Sequence, residues 1–316
     1  MQREKKQQYD VRLANGLRLK VREWQAPVIK NPDLFTYVLI HGSGDSASVW
    51  HAVAADLPAQ HRVLAVDLRG HGDSDWSTDG DYSGHTMAAD VQELIDELQL
   101  SNMLLLGHSF GGEIALRCAV AKPDHVKGLV LVDYGLEANP ETMGHVRKAL
   151  RAAHRRYRDY KEYAEVLSAR HPLATSTLLH LIAQETTCSD AEGSILKYDP
   201  AFIGDERTTP LSNTKPLWNL LAALRSPLLV MRGVASSVLT QGAAERMVRA
   251  AGVRANLEIV PASGHSIQID NPIGFGAAMR KFVAMLPLRQ EPEGPMAISN
   301  DAPSEEKCAS CAEVVK

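Results

Sequence analysis

The sequence predicts an α/β architecture, a mostly parallel sheet with helices on both faces and one helical insertion. Three observations carry this. Short apolar runs recur along the chain, most with a helical pattern between them and the next. The runs are almost continuously apolar, as strands covered on both faces require. From about residue 136 to 216 no convincing strand appears, while helical patterns continue. Strand–helix alternation places helices against both faces of a sheet.

The elements follow in order. Residues 10–24 alternate in polarity around Asn15-Gly16, a hairpin signal. Residues 35–40, 62–68, 102–107, 126–133, 226–233 and 256–262 read as buried strands. Thr86 to Leu98 is a helix, with Met87, Val91, Leu94, Ile95 and Leu98 on one face. Phe110 to Ala121 is a helix directly after the third apolar run of the series. Asn271-Pro272 supplies a cap and a first-turn proline for a helix burying Phe275, Met279, Phe282, Val283 and Leu286. The expected organisation is a core of 1–135 and 217–290, a helical cap over 136–216 and a flexible tail over 291–316. The cap would cover the carboxyl edge of the sheet, where ligands bind in such folds.

Composition narrows the function. The chain has 316 residues, 45% of them apolar, with a net charge of −4. That charge is too small to point to nucleic acid. Six acids against two lysines in 291–316 account for all of it, so the remaining chain is neutral. The first ten residues lack the apolar stretch of a signal peptide. No run reaches the roughly 18 apolar residues of a membrane span. The expectation is a cytoplasmic protein without membrane partners. Four cysteines make no disulfide framework, and Cys308-x-x-Cys311 lacks a second ligand pair for a metal.

Chemistry is concentrated in a few short motifs. Gly107-His108-Ser109-Phe110-Gly111 sits between an apolar strand and a helix. A sharp turn there strains the serine backbone and exposes its Oγ. The Phe110 N–H at the helix start can face a developing oxyanion. His41-Gly42-Ser43-Gly44 follows the strand at 35–40 and offers a second donor, the N–H of Ser43. His41 itself reads as a brace for this loop.

These segments, with Asp67-Leu-Arg69-Gly70-His71-Gly72-Asp73-Ser74 and Gly264-His265, resemble the α/β-hydrolase superfamily in order and spacing over residues 10–290. The resemblance implies the α/β-hydrolase fold, with Ser109 as nucleophile and His265 as general base and then acid. It implies scaffolding roles for Asp67, Arg69 and Asp73, and no metal or organic cofactor. The acid departs from the commonest pattern. In most relatives it follows a glycine at the end of the penultimate strand, but here that slot is Ser236, and no Asp or Glu occurs between Leu228 and Glu245. Some relatives, certain haloalkane dehalogenases and lipases among them, carry the acid one strand earlier. Asp133 is the candidate there. Glu137, or a dyad helped by Ser236 or water, remains open.

A serine nucleophile disfavours the chemistry of relatives with an elbow aspartate and favours an acyl-enzyme. The implied reaction is cleavage of an ester-like bond: a carboxylic ester, a thioester or a lactone. Hydrolases that cleave carbon–carbon bonds usually have Asn before the serine and Trp after the late histidine; His108 and Ser266 stand there instead. Proline iminopeptidases would show a different loop from His41-Gly-Ser-Gly-Asp45. Acyl transfer, carbon–carbon cleavage, lyase or ring-closing chemistry on the same residues stays an alternative, as does ligand binding without catalysis. The expected partner is a small-molecule acyl substrate. The basic run 147–158 leaves an anionic or carrier-linked one open, although a solvated helix face is the simpler reading of that run. Tyr157, Tyr160 and Tyr163 read as packing between cap and core.

Overall fold

The computed structural model describes residues 6–24, 34–137, 139–204 and 215–286. The acidic tail, Cys308, Cys311 and residues 205–214 of the expected cap lie outside the described residues. Among the described residues ten strands form: β1 Lys6–Arg12, β2 Arg18–Trp24, β3 Thr36–Ile40, β4 Arg62–Asp67, β5 Met103–His108, β6 Val126–Val132, β7 Thr187–Asp190, β8 Gly193–Leu196, β9 Leu228–Gly233 and β10 Ala255–Val260. Eight build one sheet in the order β1-β2-β4-β3-β5-β6-β9-β10. The β1–β2 hairpin turns at Asn15-Gly16, with Gly16 in the left-handed region, and β2 joins β4 antiparallel. From β4 onward every pairing is parallel. The central strands β5 and β6 are buried nearly throughout, whereas edge strand β10 is half exposed. Their apolar runs are therefore legible as a doubly covered sheet.

The helices are α1 His51–Asp56, α2 Gly84–Glu97, α3 Phe110–Ala121, α4 Pro140–Ala153, α5 Tyr160–Arg170, α6 Ser176–Thr186, α7 Pro200–Gly204, α8 Lys215–Ala223, α9 Gln241–Ala251, α10 Ile267–Asp270 and α11 Pro272–Ala284. One set of neighbours runs α2, α3, α8, α9; the other joins α1, α10 and α11. Local chemistry starts them where expected. Ser83 Oγ accepts the Thr86 N–H to cap α2, and Asn271 accepts the Gly274 N–H ahead of Pro272 in α11.

The segment between β6 and β9 is not all-helical, which corrects the sequence reading. It holds α4 to α8 and also the antiparallel hairpin β7–β8. The hairpin is hard to read because its strands have four residues each and polar side chains occupy inward places. Ser194 is fully buried and its Oγ meets Ser189 Oγ at 2.7 Å. Only the strand-end Leu196 supplies an apolar buried side chain in β8 besides, so no alternating apolar pattern exists.

This insertion is fastened to the core by backbone and charge. Gly72 N donates to Lys197 O at 2.7 Å, and Asp199 N to Gly70 O at 2.8 Å. Glu185 of α6 binds Lys6 and His51, both at 2.7 Å, and contacts the buried Arg22. Asp67 at the end of β4 accepts the N–H groups of Ala47 and Asp73 at 2.7 and 3.0 Å. Arg69 pairs with Asp90 of α2. These side chains hold loops in place, as the resemblance implies.

Three imidazoles stay neutral in the fold, His41 and His71 fully buried and His51 partly so. Burial and the neighbouring His71 lower His41 to a pKa of about 3. Burial lowers His71 to about 4. Burial and the cations Lys6 and Arg22 lower His51 to about 3. In the unfolded chain each returns to its ordinary value near 6.5. Between these values the unfolded state binds more protons, so stability is lost as pH falls, by up to about 1.4 kcal/mol per pH unit for each imidazole. Urea unfolding at about pH 7.5 and about pH 5 is expected to give the lower stability at the acid value. Equal stability at the two would contradict three neutral histidines.

Candidate active site

The strand-to-helix turn between β5 and α3 forces Ser109 into φ 51°, ψ −125°. L-residues avoid this region, and strain of this kind is held by its surroundings. Here Ser109 N donates to Val132 O at 3.0 Å, and Ser109 O accepts Gly112 N at 2.7 Å. The turn closes only with glycine at two places. A Cβ on Gly107 would stand 2.2 Å from Gly111 O, and one on Gly111 2.4 Å from His41 O. The backbone N–H groups of Phe110 and Ser43 donate to no other group among the described residues.

The loop carrying Ser43 is braced by two histidines. His41 Nε2 accepts the Leu68 N–H at 3.0 Å, which leaves its Nδ1–H to donate to Gly42 O at 2.8 Å. His71 does the same work from the next loop: its Nε2 accepts Gly44 N–H at 3.1 Å and its Nδ1 meets Arg69 O at 3.0 Å. His41 was expected as a brace; His71 was not singled out, because its partner lies 27 residues away in sequence.

Asp133 and His265 are brought together. His265, in the loop between β10 and α10, places Nδ1 2.8 Å from Asp133 Oδ2. Donation from Nδ1–H leaves Nε2 with its lone pair. Asp133 ends β6 in the left-handed region at φ 47° and is fully buried. Aspartate tolerates that conformation better than most residues. Its backbone N–H bonds to Met231 O at 2.8 Å, and its Oδ1 accepts Gly233 N–H at 3.1 Å. Adjacent ends of β6 and β9 thus share one carboxylate.

Ser236 explains the neutral residue in the usual acid position. Its Oγ donates to Asp133 Oδ2 at 2.5 Å and accepts the N–H groups of Val238 and Leu239 at 3.1 and 3.2 Å. Those two donors occupy its lone pairs, so its proton goes to the carboxylate. Serine at 236 and aspartate at 133 are one device, with three donors on a buried anion. Glu137 is not part of it. It ion-pairs with Arg246 of α9 at the surface.

His108 is a further member that the sequence reading did not assign. Its Nε2 donates to the His265 carbonyl at 3.0 Å, so the residue before the serine steadies the residue that would take its proton. Its Nδ1 lies 3.6 Å from Asp45 Oδ2. Burial opposes the charge on Asp45, but the neighbouring His108 outweighs it and keeps the carboxyl below its ordinary value.

Two cavities meet at Ser43, Ser109, Val146 and His265. One, of about 70 Å³, is mainly apolar, with Phe110, Leu136, Met143, Leu217 and Val238 in its wall beside Glu113, whose carboxylate is held by Arg117 at 2.8 Å. The other, of about 200 Å³, also has a mainly apolar wall, with Leu150, Leu167 and Ile182, but adds Asp45, His108, Arg170 and His171. The insertion supplies a wall to each. Much of the basic run is neutralised locally: Arg155 pairs with Glu162, and Arg156 with Asp190 and Glu192. Tyr157 and Tyr163 are buried with ring centroids 5.1 Å apart, a packing contact within the insertion rather than between cap and core. Arg170 has no hydrogen-bond or ion-pair partner among the described residues.

The fold and this constellation define an α/β hydrolase. A family profile described as the alpha/beta hydrolase fold matches residues 38–272, and the chain belongs to that family. It is 32% identical over 242 residues to esterase Rv0045c of Mycobacterium tuberculosis, covering 74% of this chain and 78% of that one. A crystal structure of that esterase matches with a TM-score of 0.69 at 26% identity, over 89% of this chain and 92% of the other. The chain is 24% identical over 248 residues to 2-(acetamidomethylene)succinate hydrolase of Mesorhizobium japonicum, covering 74% and 83%. A crystal structure of E-2-(acetamidomethylene)succinate hydrolase shares the fold, with a TM-score of 0.78 at 22% identity over 89% of this chain and all of that one. No helix among the described residues is long and apolar enough to cross a membrane.

Replacing Ser236 by alanine removes a hydrogen bond to a buried charge, worth about 1.5–3 kcal/mol. Ser236→Ala is therefore expected to slow turnover of an activated ester by about 10- to 100-fold while the fold is kept. A wild-type rate would reduce Ser236 to a loop-forming residue.

Proposed function

We propose that the chain is a serine hydrolase that cleaves an ester-like bond of a small molecule through an acyl-enzyme. The observation that carries this reading is the buried Asp133 carboxylate bonded to His265 Nδ1, with the strained Ser109 in the wall of the same two cavities as His265. Ser109 Oγ attacks the carbonyl carbon while His265 Nε2 takes its proton. The imidazolium is stabilised by Asp133, which stays ionised. The oxyanion sits on the N–H groups of Phe110 and Ser43, each worth about 3 kcal/mol of barrier. Collapse of the tetrahedral species expels the alcohol or thiol, which receives the proton from His265. Water then attacks the acyl-enzyme and gives its proton to His265. A second collapse releases the acid and returns the proton to Ser109. No step requires a metal or an organic cofactor.

The insertion acts as the cap in this reading. The two cavities receive the two sides of the scissile carbonyl, the larger of them with Asp45, His108, Arg170 and His171 in its wall. Arg170, exposed at the wall of the larger cavity and without a partner among the described residues, favours a substrate bearing a carboxylate or similar anion. The succinate-derived substrate in the name of the Mesorhizobium relative is in keeping with this.

A fluorophosphonate probe tests the reaction class. It is expected to modify Ser109 in folded wild-type protein and leave Ser109→Ala untouched; an unmodified Ser109 would overturn the reading. Arg170→Gln is expected to raise KM about tenfold for esters carrying a carboxylate and to leave neutral esters unchanged. Equal effects on both would remove the anionic class.

A further inference from the structure

We infer that His171 of the insertion is a positioning residue for His265, acting through Asp270. The inference rests on the serine-hydrolase reading and adds a connection between the cap and the proton-transfer group. Asp270 closes α10, five residues after His265, and is largely buried. Its Oδ2 accepts the N–H of Gly264, the residue immediately before His265, at 2.8 Å. Its Oδ1 accepts from His171 Nδ1 at 2.7 Å. His171 caps the C-terminal end of α5, where its own N–H binds Leu167 O at 2.8 Å. It is also part of the wall of the larger cavity beside Ser109.

One carboxylate therefore joins three places: the end of a cap helix, the loop of the catalytic histidine and the junction of α10 and α11. The loop has other supports, since His108 holds the His265 carbonyl and Ala235 N bonds to Ser263 O at 3.0 Å. Neither of those comes from the insertion. The hydrogen bond from His171 sets the rotation of the Asp270 carboxylate. Without it, Oδ1 is left largely buried and unpaired, and the carboxylate turns to find another donor. Gly264 then loses its fixed acceptor, and the ring of His265 loosens between Asp133 and Ser109. Proton transfer is sensitive to such displacement, because a misplacement near 1 Å costs about 100-fold. A substrate that shifts α5 on entering the larger cavity would be felt at His265 by the same route.

The test is the second-order rate at which a fluorophosphonate modifies Ser109, with thermal unfolding as a check of the fold. His171→Phe keeps an aromatic ring and removes the donor; its rate is expected to fall about tenfold. His171→Asn places an amide N–H near the position of Nδ1 and is expected to stay within about threefold of wild type. Asp270→Asn is expected to fall at least as far as His171→Phe. The double variant should be no slower than Asp270→Asn alone, since His171 acts only through that carboxylate. A wild-type rate for His171→Phe overturns the inference. So does His171→Asn falling as far as His171→Phe, or a double variant whose losses add. Failure of the probe on wild-type protein would instead overturn the serine-hydrolase reading and this inference with it.

Discussion

The arrangement of the site depends on one buried carboxylate. Asp133 has no exposed surface and would be costly to ionise there without donors. Three are supplied: the Gly233 N–H, the Ser236 hydroxyl and the His265 ring. Each comes from a different part of the chain than Asp133 itself, and all require β6 to lie beside β9 and β9 beside β10. Sheet order is thus what lets the acid stand one strand away from its usual place. The hydroxyl at 236 occupies the vacated position and returns a hydrogen bond to the displaced charge.

Around that carboxylate, backbone strain and histidine bracing do related work. Ser109 and Asp133 both take left-handed conformations at the carboxyl ends of neighbouring strands. The Ser109 N–H is bonded to Val132, the residue before Asp133. The two strained turns are therefore stitched to one another. Neutral His41 and His71 hold the loop of Ser43 through single, directed bonds, while His108 holds the backbone of His265. Four histidines, counting His265, thus surround the reacting position in different roles, and only one has the ring placed against the acid.

Much of this was legible in the sequence, for identifiable reasons. The parallel strands are apolar runs because both faces are covered, and the elbow glycines are obligatory because a side chain would strike backbone. Asp133 could be singled out because no acid stands between Leu228 and Glu245. What stayed hidden depends on contacts distant in sequence. His71 and Gly44, His108 and His265, and His171 and Asp270 are joined by single hydrogen bonds that leave no periodic trace. The β7–β8 hairpin was missed because the buried Ser194, bonded to the exposed Ser189, stands where an apolar residue of an alternating pattern would. The basic run left a steering surface open in one dimension, with a solvated helix face the simpler reading; in three, acids from α5 and the β7–β8 hairpin answer two of its arginines.

The claim that the acid has moved to the end of β6 is tested most directly by Asp133→Asn, with turnover of an activated ester measured beside the thermal unfolding of the protein. The side chain keeps its shape and one acceptor but loses the charge that stabilises the imidazolium and fixes its tautomer. The account predicts a folded protein whose kcat falls by about 10⁴. A folded Asp133→Asn protein within a few-fold of wild type would contradict it.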